Sequence, residues 1–363
     1  MTAPMRPIVF NGKFYAGGLN GVHRVADRLI RECDALLGAL PRQQRPRARL
    51  MLPERRRWQP ALDWIELVTV PSGDSQRWEQ GGLPRAASDA VIVNLANLAP
   101  VAAKRQILLL HDAQFLFPDS GYPLRQRLGY RWLTPLMARR SATVLTVSHY
   151  SRQMLDVLGV VPRVRSAVLY NGADHIREAP ADAAGLTRLG LRPRGYALLF
   201  GSAKGYKNNQ VVFDAFAAGD MGVRLVVIGP DRGTLAAGGL SVPADAVFVG
   251  ACDDRTLRAL YEGAHSLLVP SRTEGFGLPP MEAMLCGCPA IVAPAGALPE
   301  MCRDAALYAD VDDPASWRAA IHALDDDTLR AAKVAAGAER ARQFSWGGAG
   351  GELLRHIMRL ASG

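Results

Sequence analysis

The sequence predicts an α/β protein built from two parallel-sheet domains, and three observations carry that prediction. Short, largely apolar runs, such as Ile107–Leu110 and Ser266–Val269, suit strands buried on both faces. About six such runs in each half alternate with segments of helical period, the pattern of parallel sheets joined by crossover helices. At 363 residues the chain is long enough for two cores of ordinary size.

Taken in order, Ile8–Phe10 is a first short strand. A loop rich in glycine (Gly12, Gly17, Gly18, Gly21) leads into a helix from about Val22 to Leu37, with Val22, Val25, Leu29 and Cys33 on its apolar face. The glycines do not spell G-x-G-x-x-G, because Leu19 and a misplaced third glycine break the fingerprint; a tight turn explains them as simply. The stretch from Pro41 to Trp58 is basic and proline-broken, with a brief strand at Leu50–Leu52. Glu66–Val70 and Ala90–Leu95 read as strands, and residues 71–89, rich in Gly, Pro, Ser and Asp, as the loop between them.

Ile107–Leu110 ends in His111-Asp112. Ligands of open α/β sheets sit beyond the carboxyl ends of strands, so this pair is placed for function; a packed or surface histidine is the plainer alternative. Leu124–Arg140 reads as a helix interrupted at Pro135, apolar on one face and basic on the other. Such a helix fits a membrane interface or ordinary packing with a solvated arginine edge. Val144–Val147 is a strand running into Ser148, and Val168–Tyr170 is the last strand before the Asn171-Gly172 turn.

A linker at roughly Asp174–Arg194 precedes the second half. Ala197–Phe200 is a strand followed by Gly201, Ser202, Lys204, Lys207 and Asn208, then by a helix over Val211–Ala217. A lysine over a glycine loop suits a diphosphate as a point charge. Leu225–Ile228 and Val247–Val249 are further strands, alternating with helices such as Asp254–Gly263.

Residues 265–300 are the most informative. Strand Ser266–Val269 feeds a loop with Gly275 and Gly277; Pro279 and Pro280 suit the first turn of a helix, Gly287 and Pro289 stop it, and Ile291-Val292 begin another strand. A helix N-terminus behind a glycine loop offers backbone N–H groups and a positive dipole end to an anion. Glu274 opens the loop and Glu282 lies eight positions on, in the first helical turn. Taken singly, Glu282 is an acid well placed near a helix N-terminus and Glu274 a solvated loop residue. Together they flank a phosphate loop, and each carboxylate can accept two hydroxyls, which suits a ligand with vicinal diols on both sides of a phosphate, as in a nucleotide sugar.

The run S-R-T-E-G-F-G-L-P-P-M-E-A-M-x-C-G-C-P at 271–289, followed by A-G-A-L-P-E and D-A-A-L-Y, closely resembles the donor site of the retaining GT-B glycosyltransferases of family 4. The resemblance implies a GT-B fold, α/β, of two Rossmann-like doubly wound domains facing across a cleft. It implies an acceptor-side domain over residues 1–175, with the C-terminal helix 344–363 packing back on it, and a donor-binding domain over 176–343. Glu274 would then contact the transferred sugar and Glu282 the ribose hydroxyls, with the backbone at Gly275, Phe276, Gly277 and Leu278 against sugar and diphosphate. Ser202 and Lys207 would serve the phosphates. Family members often carry arginine just before that lysine and near the loop's start; Tyr206 and Ser202 stand there in this chain, leaving Lys204 as the other cation at hand. On the acceptor side, the resemblance places Gly21, with His23 and Arg24, beside the cleft. It brings His111 to the donor sugar, followed by Phe115, Phe117 and Pro118, with Asp112 orienting its neighbours.

The His-Asp strand end resembles the mannosyltransferase branch, so GDP-mannose is the expected co-substrate and a UDP-hexose the alternative. No separate cofactor is expected, and no metal, since a D-x-D pattern is missing and Cys286-Gly-Cys288 has no partner pair at zinc spacing. The expected acceptor is a saccharide or a polyprenyl-diphosphate-linked saccharide of surface-polysaccharide assembly.

Composition bounds these expectations. The five cysteines are scattered and odd in number, as in a reducing compartment, and no apolar run approaches the roughly 20 residues of a membrane span. With no signal-peptide pattern at the start, the expected location is the cytoplasm, with peripheral contact at the inner face of the membrane. Residues 1–180 hold 25 basic and 14 acidic residues, against 18 and 20 in 181–363, so the net +9 divides into +11 and −2. A basic half alone suits nucleic acid, an anionic membrane, an anionic acceptor or a solubilising face. The resemblance selects acceptor or membrane over nucleic acid. Two rivals from other classes remain: a nicotinamide-dependent oxidoreductase, which needs the missing dinucleotide fingerprint, and a non-catalytic sugar-nucleotide binder, against which Glu274, Glu282 and His111 speak.

Overall fold

A computed structural model describes residues 5–71, 73–117 and 124–363. The chain divides into two units, crossing from the first to the second at Gly172/Ala173 and back at Ser345/Trp346. The first unit holds β1 (Ile8–Asn11), β2 (Ala48–Pro53), β3 (Glu66–Val70), β4 (Val91–Asn94), β5 (Gln106–Leu110), β6 (Thr143–Thr146) and β7 (Ser166–Val168), in the order β3-β2-β1-β4-β5-β6-β7. The second holds β8 (Tyr196–Phe200), β9 (Arg224–Ile228), β10 (Val247–Gly250), β11 (Ser266–Val269), β12 (Ala290–Val292) and β13 (Leu307–Tyr308), in the order β10-β9-β8-β11-β12-β13. The strand pairs of both sheets are parallel, with Leu267 of β11 opposite Leu198 on one side and Ala290 on the other.

Every residue of β4, β5, β11 and β12 is buried, which is why these strands read as largely apolar runs, each with at most one polar residue at an end. In the second unit Leu199, Val227, Leu268 and Ile291 share a core with Phe213 and Trp317. In the first, helix Trp346–Ser362 packs on helix Gly21–Ala39 with Trp346, Leu353 and Ile357 buried, and the Arg6 amide donates to the Ala361 carbonyl at 3.0 Å. Strand order reverses between β1 and β4 in the first unit and between β8 and β11 in the second. Loops leaving adjacent strands in opposite directions open a crevice at such a switch point, beyond the carboxyl ends of the strands.

Four expectations are corrected. Residues 71–89 are not loop throughout: a π-helical turn, Trp78–Gly82, runs into helix Leu83–Ala86. The Trp78 ring is fully buried and its Nε1–H donates to the Val70 carbonyl at 3.0 Å, so one anchored aromatic holds a turn that polar composition had hidden. The brief strand at Leu50–Leu52 is six residues long, because β2 lies between β1 and β3 and is paired on both edges. The stretch read as linker carries a short helix, Ala183–Arg188, capped by the Asp182 carboxylate. Helix Leu124–Arg140 runs through Pro135 without interruption, and its apolar residues occupy both faces. Thr134, Met137 and Ala138 are buried, whereas Leu124, Leu128, Trp132 and Leu136 are exposed. Of the aromatic-proline stretch, Pro118 lies outside the described residues.

Candidate functional site

In the second unit the donor candidates converge on the β8/β11 switch point from two loops. After β8, the Ser202 amide donates to Asn209 Oδ1 at 2.6 Å, and a 3-10 turn, Gly205–Lys207, ends at Asn208 in the left-handed region (φ 53°). After β11, Glu274 leads into helix Leu278–Leu285, capped by Gly277 at φ 92° with prolines in its first turn. The loops are tied twice: the Arg272 amide donates to the Tyr206 carbonyl at 2.8 Å, and Lys207 Nζ donates to Glu274 Oε1 at 2.6 Å. Lys207 and Glu274 are partly exposed, at 31% and 15% of their side chains. Tyr206 has Lys207 Nζ 5.4 Å and Lys204 Nζ 6.0 Å from its ring centre, so it gathers both cations through its π face.

The loop of Glu274 is shaped by Gly296, the glycine of the A-G-A-L-P-E run. Gly296 has φ 63°, and a Cβ there would stand 2.4 Å from the Glu274 amide nitrogen, so no side chain fits without moving that loop. The Ala297 amide donates to the Glu274 carbonyl at 3.0 Å. Phe276 is buried, its ring edge-on to Phe344 at 5.6 Å, so its side chain packs and only its backbone is available to a ligand. Gly275 and Gly277 are buried, and Leu278 is half-buried.

Glu282 differs from Glu274. Its carboxylate is buried, with Oε2 accepting from the Tyr261 hydroxyl at 3.1 Å and Oε1 lying 3.2 Å from His175 Nε2. Burial, followed by the nearby Glu282 charge, raises the Tyr261 pKa well above its ordinary value, so the phenol remains a donor. A carboxylate offers about four acceptor sites, so two protein partners leave room for hydroxyls. His175 and Tyr261 were not singled out from the sequence, and their separations from Glu282 carry no local signal.

In the first unit the β1/β4 switch point opens on a cavity of about 410 Å³ whose lining includes Asn11, Lys13, His23, Asp74 and Glu79. Lys13 pairs with Glu79 at 2.9 Å, and Asn11 Nδ2 donates to both Glu79 Oε1 and Asn94 Oδ1 at 2.9 Å. Gly21, first residue of its helix, is exposed; a Cβ there would meet no protein atom within 4 Å. His23 Nδ1 lies 2.6 Å from the Gly18 carbonyl.

His111 sits at the end of β5, 5% exposed, with Nε2 2.8 Å from the Leu95 carbonyl. Its amide donates to Asn97 Oδ1 at 2.8 Å and its carbonyl accepts from the Ser151 hydroxyl at 3.0 Å. Burial pushes its pKa down to about 4. A carbonyl only accepts, so Nε2 carries the proton of a neutral ring and Nδ1 is left as an acceptor. This histidine is fitted to receive a hydroxyl hydrogen, not to supply a proton. Among the described residues no cluster of three or more His, Cys, Asp or Glu suits a metal ion, and burial pushes the Cys286 thiol up to about 12.

The family model for glycosyl transferases group 1 matches residues 192–341. The chain is 31% identical to O-antigen chain mannosyltransferase B of Escherichia coli over 68% of each chain, and 26% identical to O-antigen chain mannosyltransferase RfbU of Salmonella typhimurium over 61% of each. It thus spans about two thirds of the length of these relatives. Sucrose-phosphate synthase from Thermosynechococcus elongatus shares the fold at TM-score 0.74 and 17% identity, covering 98% of this chain and 99% of that one. The architecture is the GT-B arrangement of two parallel-sheet α/β units.

Proposed function

The chain belongs to the group 1 glycosyl transferases, and from that premise we propose that it moves mannose from GDP-mannose to a saccharide acceptor with retention of anomeric configuration. The observation that carries this reading is the Lys207–Glu274 pair, drawn from two loops to 2.6 Å at the switch point of the second unit. Lys207 turns from Glu274 to the donor diphosphate and neutralises the charge of the leaving group. Glu274, relieved of its lysine, accepts hydroxyls of the sugar, and the free acceptor sites of Glu282 take the ribose. His111 Nδ1 receives a sugar hydroxyl from the first unit. The bond from the anomeric carbon to the diphosphate oxygen breaks, the acceptor oxygen bonds to that carbon on the same face, and its proton passes to the departing phosphate. Similarity to the O-antigen enzymes supports mannose as the sugar. A cytoplasmic enzyme working on a lipid-linked saccharide at an anionic membrane face is the setting this reading expects; no helix among the described residues is long and apolar enough to cross a membrane.

Thermal stabilisation by a panel of nucleoside diphosphates and nucleotide sugars tests the donor, and the anomeric configuration of the transferred sugar, read by NMR, tests retention. Stabilisation by GDP and GDP-mannose is expected. Response to UDP-hexoses alone would move the donor to that class, and an inverted product would remove the front-face route.

A further inference from the structure

Neighbouring parallel strands are joined by a crossover, usually a helix that covers the sheet face. Helix Gly21–Ala39 serves between β1 and β2, and helix Leu124–Arg140 between β5 and β6. Residues 95–105, which join β4 to β5, form neither helix nor strand. Two glutamines hold this strap in place of its own hydrogen bonds. Gln80 Nε2 donates to the Ala99 carbonyl at 3.0 Å, and Gln80 Oε1 accepts from the Val101 amide at 2.9 Å. Gln106 Nε2 donates to the carbonyls of Pro100 and Ala103, each at 2.9 Å.

Beside the tail of the strap lies a cavity of about 670 Å³, larger than the one of about 410 Å³ at the β1/β4 switch point. Its inner part is apolar: Ala87, Ala90 and Ile92 are buried there, in one core with Trp78 and Leu83. Arg85, Lys104 and Arg105 also line it and are exposed, so the cations stand toward its mouth. Arg85 lies back over the preceding turn, where a Cβ on Gly81 would come 3.0 Å from its Nη1. Among the described residues none of these three side chains has a hydrogen bond or ion pair, and no acidic side chain joins the lining. Ala90 and Arg105 immediately precede β4 and β5. The cavity therefore sits at the amino ends of the strands, away from the crevice at their carboxyl ends.

We propose that this cavity binds a sugar phosphate, with Arg85, Lys104 and Arg105 on the phosphate and the carbon skeleton over Ala87, Ala90 and Ile92. Like charges gathered without a counter-ion repel one another, and a phosphate removes that cost. Each arginine offers a planar fork that matches two phosphate oxygens, and the lysine adds a point charge. The volume is that of a small-molecule site, larger than a bare phosphate needs. No aromatic side chain lines the cavity among the described residues, so a nucleobase has no ring to stack on and a sugar fits better. The site lies in the first unit and draws nothing from the donor assignment in the second. It shares one strap with the switch-point cavity, which Leu95, Ala96 and Leu98 line near the strap's start.

Titration calorimetry of the full chain with glucose 1-phosphate and ribose 5-phosphate, against glucose, tests the proposal. A sugar phosphate should bind and glucose should not. Arg85→Ala with Arg105→Ala should weaken that binding at least about tenfold. Ala102→Trp should do the same, because it fills the cavity from an exposed lining position and keeps every cation. Both variants change exposed side chains and should melt with the parent. Lys207→Ala should bind the sugar phosphate as the parent does, since its site is in the other unit. A parent that ignores GDP yet binds the sugar phosphate in this pattern would count against the donor assignment and leave the cavity's role standing. Absence of binding by both sugar phosphates, equal binding of glucose, or undiminished binding in Ala102→Trp would overturn the proposal. So would loss in Lys207→Ala with binding kept in the double arginine variant.

Discussion

Both switch points set a lysine against a glutamate, and the two pairs are built differently. Lys13–Glu79 is sunk: the Glu79 side chain is 2% exposed, and Asn11, Asn94 and Gln106 continue the hydrogen bonding into the sheet, Asn94 Nδ2 donating to Gln106 Oε1 at 3.1 Å. Lys207–Glu274 is half open and joins two loops. An ion pair tied into a buried chain cannot exchange partners without leaving a charge stranded, whereas a pair at the solvent edge can trade its lysine for a diphosphate. Under the proposed function, the same two residue types serve as a fixed strut in one unit and as a releasable latch in the other.

Removing each lysine gives the sharpest test. Lys13→Ala should strand the Glu79 carboxylate, costing about 3 kcal/mol of stability and lowering the melting temperature by roughly 5–10 °C. Lys207→Ala should leave the melting temperature within about 2 °C of the parent while turnover falls about 10²–10³-fold. Equal loss of stability in the two, measured by calorimetry, would erase the distinction between strut and latch.

The next effect in size belongs to His111. Its pKa is lowered in the folded protein to about 4, from 6.5, so the unfolded chain binds the proton first as pH falls. Its neutral burial is therefore fully compatible with folding above pH 6.5, and stability is lost progressively between pH 6.5 and 4, by about 3 kcal/mol at most. Melting curves across that window should flatten in His111→Gln, and turnover should show no titration of this ring above pH 5.

Glu282 tests whether a sunk carboxylate can still serve a ligand. Glu282→Ala should weaken GDP binding by about 1.5–3 kcal/mol, read by titration calorimetry. Unchanged affinity would assign this carboxylate wholly to Tyr261 and His175. The smallest expected effect is at Gly296: Gly296→Ala should push the Glu274 loop and lower turnover about tenfold with donor affinity nearly kept.

The sequence disclosed what local pattern encodes. Fully buried strands read as apolar runs, and the loop between β11 and helix Leu278–Leu285 read as a ligand loop because glycine, proline and carboxylate stand at fixed offsets. Contacts between distant segments left no such mark. Glu79 stands 66 positions from Lys13, His175 lies far before Glu282, and Gly296 reaches Glu274 only after an intervening helix and strand. Trp78 converted a polar stretch into a turn by burying one ring. Helix Leu124–Arg140 misled for a different reason: an amphipathic pattern assumes one apolar face, and this helix has two.

The order of synthesis gives the placement of the last helix a further meaning. The face of helix Gly21–Ala39 covered by Trp346–Ser362 belongs to the first unit, yet the covering residues are made only after the whole of Ala173–Ser345. At about 5–20 residues per second, the nascent first unit waits roughly 10–35 s with that apolar stripe bare. The second unit, continuous in the chain, can close on itself during that interval. Completion of the first unit is thus timed by helix Trp346–Ser362, and the half-finished first unit is the species a chaperone would meet.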